Sequence, residues 1–185
     1  MRCARASNAG SGSIEAMDDD ADLQRRLAPN TIDEALRLAR PMVFTNGVFD
    51  LLHRGHVVCL MRARAFGASL VVGLNSDASA RRLGKGPGRP LNDELDRCAV
   101  LRALASVDAV LLFDDAKPLA LIRALRPDFY VKGGDYDVET LEETALVRTW
   151  GGSAVACPLV AGRSTSAIVE RMHGAPASLR QRHGP

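Results

Sequence analysis

Two of the chain's four histidines, His53 and His56, stand three residues apart in TNGVFDLLHRGH, residues 45–56. At helical spacing they point to one side. Gly55 lies between them and lets a bulky group approach the backbone. A helix start presents N–H groups that lack intrahelical partners, together with a partial positive charge, and so holds phosphate. Imidazoles placed there donate hydrogen bonds to phosphate oxygens as charge builds up in a transition state. Three other readings compete. A zinc half-site would want HExxH or an obvious third ligand, and neither stands in the sequence. An ordinary helix surface is the second. A dinucleotide site is the third, and it would want GxGxxG after the first strand, which this stretch does not supply.

Positioning such groups requires a frame, and the sequence predicts one. Apolar runs at 42–46, 69–75, 109–113, 128–133 and 153–159 read as strands. They alternate with helices predicted over 31–40, 55–66, 92–105, 117–125, 139–149 and 164–172. Thr31 and Glu34 form a capping box at the first of these helices. Continuous apolar strands without alternation suit a parallel sheet covered on both faces. The expectation is therefore an α/β fold, a Rossmann-like doubly wound parallel sheet of about five strands in a single domain. Residues 1–30, rich in Gly, Ser, Asn and Asp, read as a flexible extension in which Met17 is an alternative start. Residues 31–174 read as the domain and 175–185 as a flexible tail.

In such sheets ligands bind beyond the carboxyl ends of the strands. The first strand delivers Asn46, Gly47, Phe49, Asp50, His53 and His56 to that rim, and the second delivers Asn75, Ser76 and Asp77. The fourth delivers Lys132, Gly133, Gly134 and Asp135, and the fifth Arg163, Ser164, Thr165 and Ser166. Ser164, Thr165 and Ser166 cap the last helix and offer a second anion-binding helix start.

Bulk composition excludes several classes. Net charge is +2, with 24 basic against 22 acidic residues, so no electrostatic footprint marks a nucleic-acid or membrane partner. Aromatic residues make up 4%, too few for stacked-base recognition. The cysteines, Cys3, Cys59, Cys98 and Cys157, form no CxxC pair, so they read as reduced apolar side chains. No apolar run is long enough to span a bilayer, and residues 1–16 hold no signal-like apolar segment. The expectation is a cytoplasmic protein.

TNGVFDLLHRGH resembles the signature of the nucleotidyltransferase superfamily of cytidylyltransferases and small adenylyltransferases. Its HRGH element is also similar to the HIGH signature of class I aminoacyl-tRNA synthetases. The chain is too short for a tRNA-charging enzyme and has no KMSKS loop. RSTSAIVER, residues 163–171, resembles the superfamily's late ISTT-x-x-x-x-R motif. NSDASARRLGKGPGRPLNDELDR, PDFYVKGGDYD and PLVAGRSTSAIVER together resemble the heptose 1-phosphate adenylyltransferases. Arg163 departs from that pattern, since relatives more often carry a smaller or apolar residue there. The N-terminal extension has no counterpart in it.

The resemblance implies AMP transfer from ATP to D-glycero-β-D-manno-heptose 1-phosphate, yielding ADP-heptose for the lipopolysaccharide inner core. It implies Mg²⁺ with the triphosphate and a homo-oligomer. The alternative on the same scaffold is another acceptor, such as glycerol 3-phosphate with CTP. His53, His56 and Lys132 are the expected catalytic groups. Thr45, Asn46, Gly47, Phe49, Asp50, Gly55, Asn75, Gly133, Arg163, Ser164, Thr165 and Ser166 are expected around the nucleotide. Lys85 and Arg89, on the Gly- and Pro-rich loop 83–91, either close over the triphosphate or acceptor phosphate or belong to a solvated loop. Asp50 orients backbone or contacts nucleotide rather than acting as a base. Asp135 contacts sugar hydroxyls or helps place metal. Arg97 and Arg171 face phosphate or pair with an acid.

Overall fold

The structure is a computed structural model that describes residues 20–84, 86, 88–134, 137–158, 160, 165, 168, 169 and 171. Its strands are β1 (Met42–Gly47), β2 (Ser69–Asn75), β3 (Ala109–Phe113), β4 (Phe129–Gly133) and β5 (Ser153–Cys157). They make one parallel sheet in the order β3-β2-β1-β4-β5. The helices are α1 (Asp20–Leu27), α2 (Ile32–Leu36), α3 (Arg54–Arg64), α4 (Asp77–Arg82), α5 (Glu94–Arg102), α6 (Leu119–Leu125) and α7 (Glu142–Arg148). The sheet order doubles back at β1, and the direction of winding changes between β1 and β4. A crevice at the carboxyl ends of those two strands follows from that reversal.

Strand alternation builds two cores. Met42 and Phe44 of β1 join Val71, Leu111 and Tyr130 beneath Ala35 of α2, Leu121, Ile122 and Leu125 of α6, and Val147 of α7. Val43 of β1 points the other way, with Leu70, Val72, Val110 and Val131, against Leu60 and Ala63 of α3 and Cys98 and Leu101 of α5. All seven residues of β2 are buried, as a strand covered on both faces requires. Each large apolar side chain so buried contributes about 1.5–3 kcal/mol.

Several elements differ from expectation. Residues 20–30 are not part of a loose extension: α1 packs on the domain, where its Arg26 carbonyl accepts from Arg102 Nε at 3.0 Å. The capping box is present, with Thr31 Oγ1 and Glu34 Oε2 taking each other's backbone N–H at 3.2 and 2.8 Å. The helix it opens stops at Leu36, five residues before Pro41 and not at residue 40. Helix α4 was not foreseen; Ser76 caps it by accepting from Ser79 N. The predicted helix 139–149 divides into a 3-10 turn, Val138–Thr140, and α7. Strand β5 ends at Cys157 because Pro158 has no N–H for the ladder. Of the last helix, Thr165, Ile168, Val169 and Arg171 are described, and all are helical.

Candidate active site

The turn after β1 is built around one glycine. A Cβ on Gly47 would lie 3.0 Å from Phe49 Cε2, so glycine lets that ring fold back over the strand end without being pushed aside. Phe49 takes φ 47°, a left-handed conformation that costs a non-glycine residue about 1–2 kcal/mol. The reversal delivers His53 to the N-cap of α3. There its Nδ1 accepts from Gly55 N at 3.1 Å, the work usually done by Ser, Thr, Asp or Asn. A ring nitrogen that accepts cannot carry the proton, so the neutral imidazole holds it on Nε2. That nitrogen is the one able to donate to a phosphate. The His56 ring stacks on His53 with centroids 3.9 Å apart and planes at 23°. Phe49 backs His56 from 5.3 Å.

Lys132, the penultimate residue of β4, meets this turn through β1. Its Nζ donates to Asn46 Oδ1 at 3.2 Å, and Tyr130 Oη donates to the same oxygen at 2.9 Å. Asn46 immediately precedes Gly47, so the lysine lies at the crevice where winding reverses. The late motif arrives there as well: Thr165 Oγ1 donates to the Leu51 carbonyl at 3.3 Å, two residues before His53. The imidazole pair, the glycine-flanked lysine and Thr165 therefore share one rim. Arg171 is exposed on that last helix. Lys85, Asp135, Arg163, Ser164 and Ser166 lie outside the described residues.

Other expected ligand contacts have different neighbours. Arg97 is a correction. Its side chain is fully buried, donating to Val48 O at 2.6 Å, Asn75 O at 2.9 Å, Asn92 O at 3.0 Å and Asp77 Oδ1 at 2.7 Å. It holds the strand ends together from beneath and presents no donor to a phosphate. Arg89 meets Asp50 Oδ2 at 2.5 Å rather than reaching over the crevice. The other Asp50 oxygen accepts from Leu91 N and Asn92 N, so Asp50 orients backbone. Burial pushes the Asp50 carboxyl pKa up, but the hydrogen bonds from Arg89, Asn92 and Leu91 outweigh it and hold it below the usual carboxylate range.

Thr45 and Asn75 are each 3% exposed and shape the rim from below. The Asn75 amide donates to Ser79 Oγ at 2.9 Å. Gly55's N–H is taken by His53, which limits its use as an open backbone contact. Gly133 has a packing reason of its own, since a Cβ there would come within 2.9 Å of Cys59 Sγ. Burial, then the adjacent Cys157 thiol, pushes the Cys59 thiol up to about 12. Burial pushes Cys98 up to about 11. Both thiols are neutral at physiological pH and belong to the core. Tyr130 was missed in the sequence, where it reads only as one more apolar strand residue. The available signal was a phenol in the apolar stretch 129–131, where phenylalanine would pack as well.

Comparison with known proteins agrees with this geometry. The model of the cytidylyltransferase-like family matches residues 44–171. The chain is 60% identical over 136 residues to the D-beta-D-heptose 1-phosphate adenylyltransferase of Bordetella bronchiseptica, covering 74% of this chain and 84% of that protein. It is 49% identical over 159 residues to the bifunctional protein HldE of Mesorhizobium japonicum, covering 86% of this chain and 31% of that one. The chain thus spans about a third of the bifunctional relatives it matches. The crystal structure of the lipopolysaccharide core biosynthesis protein of Thermoplasma volcanium superposes with a TM-score of 0.54 at 28% identity, over 64% of this chain and 95% of that one. With more than half its length in the family model and 60% identity to a relative of which it covers 84%, the chain belongs to the cytidylyltransferase-like nucleotidyltransferases, among the heptose 1-phosphate adenylyltransferases.

Proposed function

We propose that this protein transfers AMP from ATP to D-glycero-β-D-manno-heptose 1-phosphate, releasing pyrophosphate and forming ADP-heptose for the lipopolysaccharide inner core. The observation that carries the reading is the meeting of α3's opening, its stacked imidazoles and Lys132 at the β1–β4 crevice.

A sugar phosphate has a second pKa of about 6, so it is a dianionic nucleophile at neutral pH and needs no general base. One of its oxygens attacks the α-phosphorus in line. The new O–P bond forms as the bond to the β-phosphate bridging oxygen breaks, and the electron pair leaves with pyrophosphate. Such a transfer asks the protein for alignment and charge neutralisation. His53 Nε2–H and His56 donate to α- and β-phosphate oxygens as charge moves onto the leaving group. The α3 N-terminus adds its dipole. Lys132 supplies a positive charge to the nucleotide or to the acceptor phosphate. Mg²⁺ enters with ATP as part of the substrate. Among the described residues no group of three His, Cys, Asp or Glu side chains could hold it, and triphosphate oxygens are themselves hard ligands. The reading also puts the enzyme, a homo-oligomer, in the cytoplasm, where ATP and sugar phosphates are found. Among the described residues no helix is long and apolar enough to cross a membrane.

The test is pyrophosphate release with ATP or CTP against both heptose 1-phosphate anomers and glycerol 3-phosphate, with Mg²⁺ present. Turnover is expected with ATP and the β-heptose phosphate. Turnover with CTP and glycerol 3-phosphate, and none with the first pair, overturns the proposal.

A further inference from the structure

We infer that Tyr130 is a positioning residue for AMP transfer: its buried phenol fixes the Asn46 amide and, with it, the Lys132 ammonium at the crevice. The inference rests on the reaction proposed above and gives a role to a residue that the mechanism leaves out.

Tyr130 is fully buried in the apolar core on the α6 and α7 face, with its ring 6.4 Å from that of Phe44. For packing alone, phenylalanine would serve as well. A hydroxyl taken out of water into such a core destabilises the fold unless it is paired. This one pairs with Asn46 Oδ1 at 2.9 Å.

The chemistry of the partners settles the amide's orientation. An ammonium can only donate, so the Asn46 atom 3.2 Å from Lys132 Nζ must be the amide oxygen. The phenol donates to that same oxygen. Two donors on one oxygen leave the Asn46 Nδ2 group as a directed donor. Asn46 is half-buried at the carboxyl end of β1 and immediately precedes the turn that carries the imidazoles. The ammonium is held by the same oxygen. Tyr130 itself has no exposed surface for substrate and acts through Asn46. This pre-orientation serves a reaction whose catalysis is alignment plus charge neutralisation.

Tyr130→Phe keeps the ring and its packing and deletes one oxygen. We expect kcat for pyrophosphate release to fall about tenfold, with KM for ATP changed by less than about twofold. Asn46→Ala should fall at least as far. The double variant should lose less than the product of the two single losses, because both act through the Asn46 oxygen. The side-chain ¹⁵Nδ2 resonance of Asn46 should shift in Tyr130→Phe, a readout that needs no turnover. Wild-type kcat in Tyr130→Phe, effects that add in full in the double variant, or an unmoved Asn46 resonance overturns the inference. If wild-type protein releases no pyrophosphate while the resonance shifts, the proposed reaction fails but the hold of Tyr130 on Asn46 stands.

Discussion

At the scale of single residues, His53 and His56 are close in sequence and stacked in space, yet the structure gives them separable duties. His53 caps α3 through Nδ1, whereas His56 lies inside the first turn with its ring stacked on His53. His56→Ala should therefore cut turnover by about 10²–10³ and leave ATP affinity nearly intact, the size found for one lost transition-state donor. His53→Ala should show the same kind of loss together with lower stability, since a lost N-cap costs about 1 kcal/mol. His53→Asn separates the two duties: asparagine caps well, so stability should hold while turnover is still lost. Pyrophosphate release, calorimetric titration with ATP and urea unfolding make the comparison. An equal drop in turnover and ATP affinity for His56→Ala would make it a simple binder. The pair was legible in the sequence because two imidazoles around a glycine are a rare local pattern. Arg97 and Arg89 were not, because what decides an arginine's role is its partner. The Val48 carbonyl lies 49 positions from Arg97 and the Asp50 carboxylate 39 from Arg89.

At the scale of elements, the five strands were readable from their apolar runs, and their ends were set by residues such as Pro158 and Gly47. Helix α4 was overlooked because six residues carry too little periodicity to register. Its Ser76 cap is a local bond to Ser79 N, but its docking against Arg97 is a tertiary contact. Gly133 shows the same limit. The sequence reading assigned it to the ligand, while the structure gives it a packing duty, because α3 lies so close to β4 that Cys59 Sγ occupies the space of a side chain. Gly133→Ala should destabilise the fold by about 1–2 kcal/mol through this overlap. Cys59→Ala should restore most of it in the double variant, read as coupling in a urea-unfolding cycle. If Gly133→Ala is as stable as the wild type yet loses ATP affinity, the glycine serves the nucleotide after all.

At the scale of the whole molecule, the sheet order was beyond local reading, since each strand's neighbour is chosen by crossovers tens of residues long. The misjudged boundary at residue 31 has a related cause. DADLQRRL, residues 20–27, is polar by composition, and its hold on the domain runs largely through backbone carbonyls, which composition does not display. Arg102 takes Arg26 O, Cys98 Sγ approaches Leu27 O at 3.6 Å, and Arg102 NH1 takes Asn30 Oδ1 at 2.6 Å. Asn30 does more. Strand β3 is an edge of the sheet, and Val110 in its middle both donates to Asn30 Oδ1 at 3.0 Å and accepts from Asn30 N at 2.7 Å. An edge strand with unmet backbone groups is a template for pairing with another chain. A chain starting at Thr31 should therefore be less stable than one starting at Asp20 by about 2–4 kcal/mol, the sum of the hydrogen bonds removed at about 1 kcal/mol each. It should also form aggregates larger than the longer chain's own assembly at the same concentration. The site lies at the carboxyl ends of β1 and β4, away from this edge, so kcat per folded molecule should match between the two chains. Urea midpoints, light scattering and pyrophosphate release on the two truncations decide it. Equal midpoints would mean that residues 20–30 rest on the domain without supporting it.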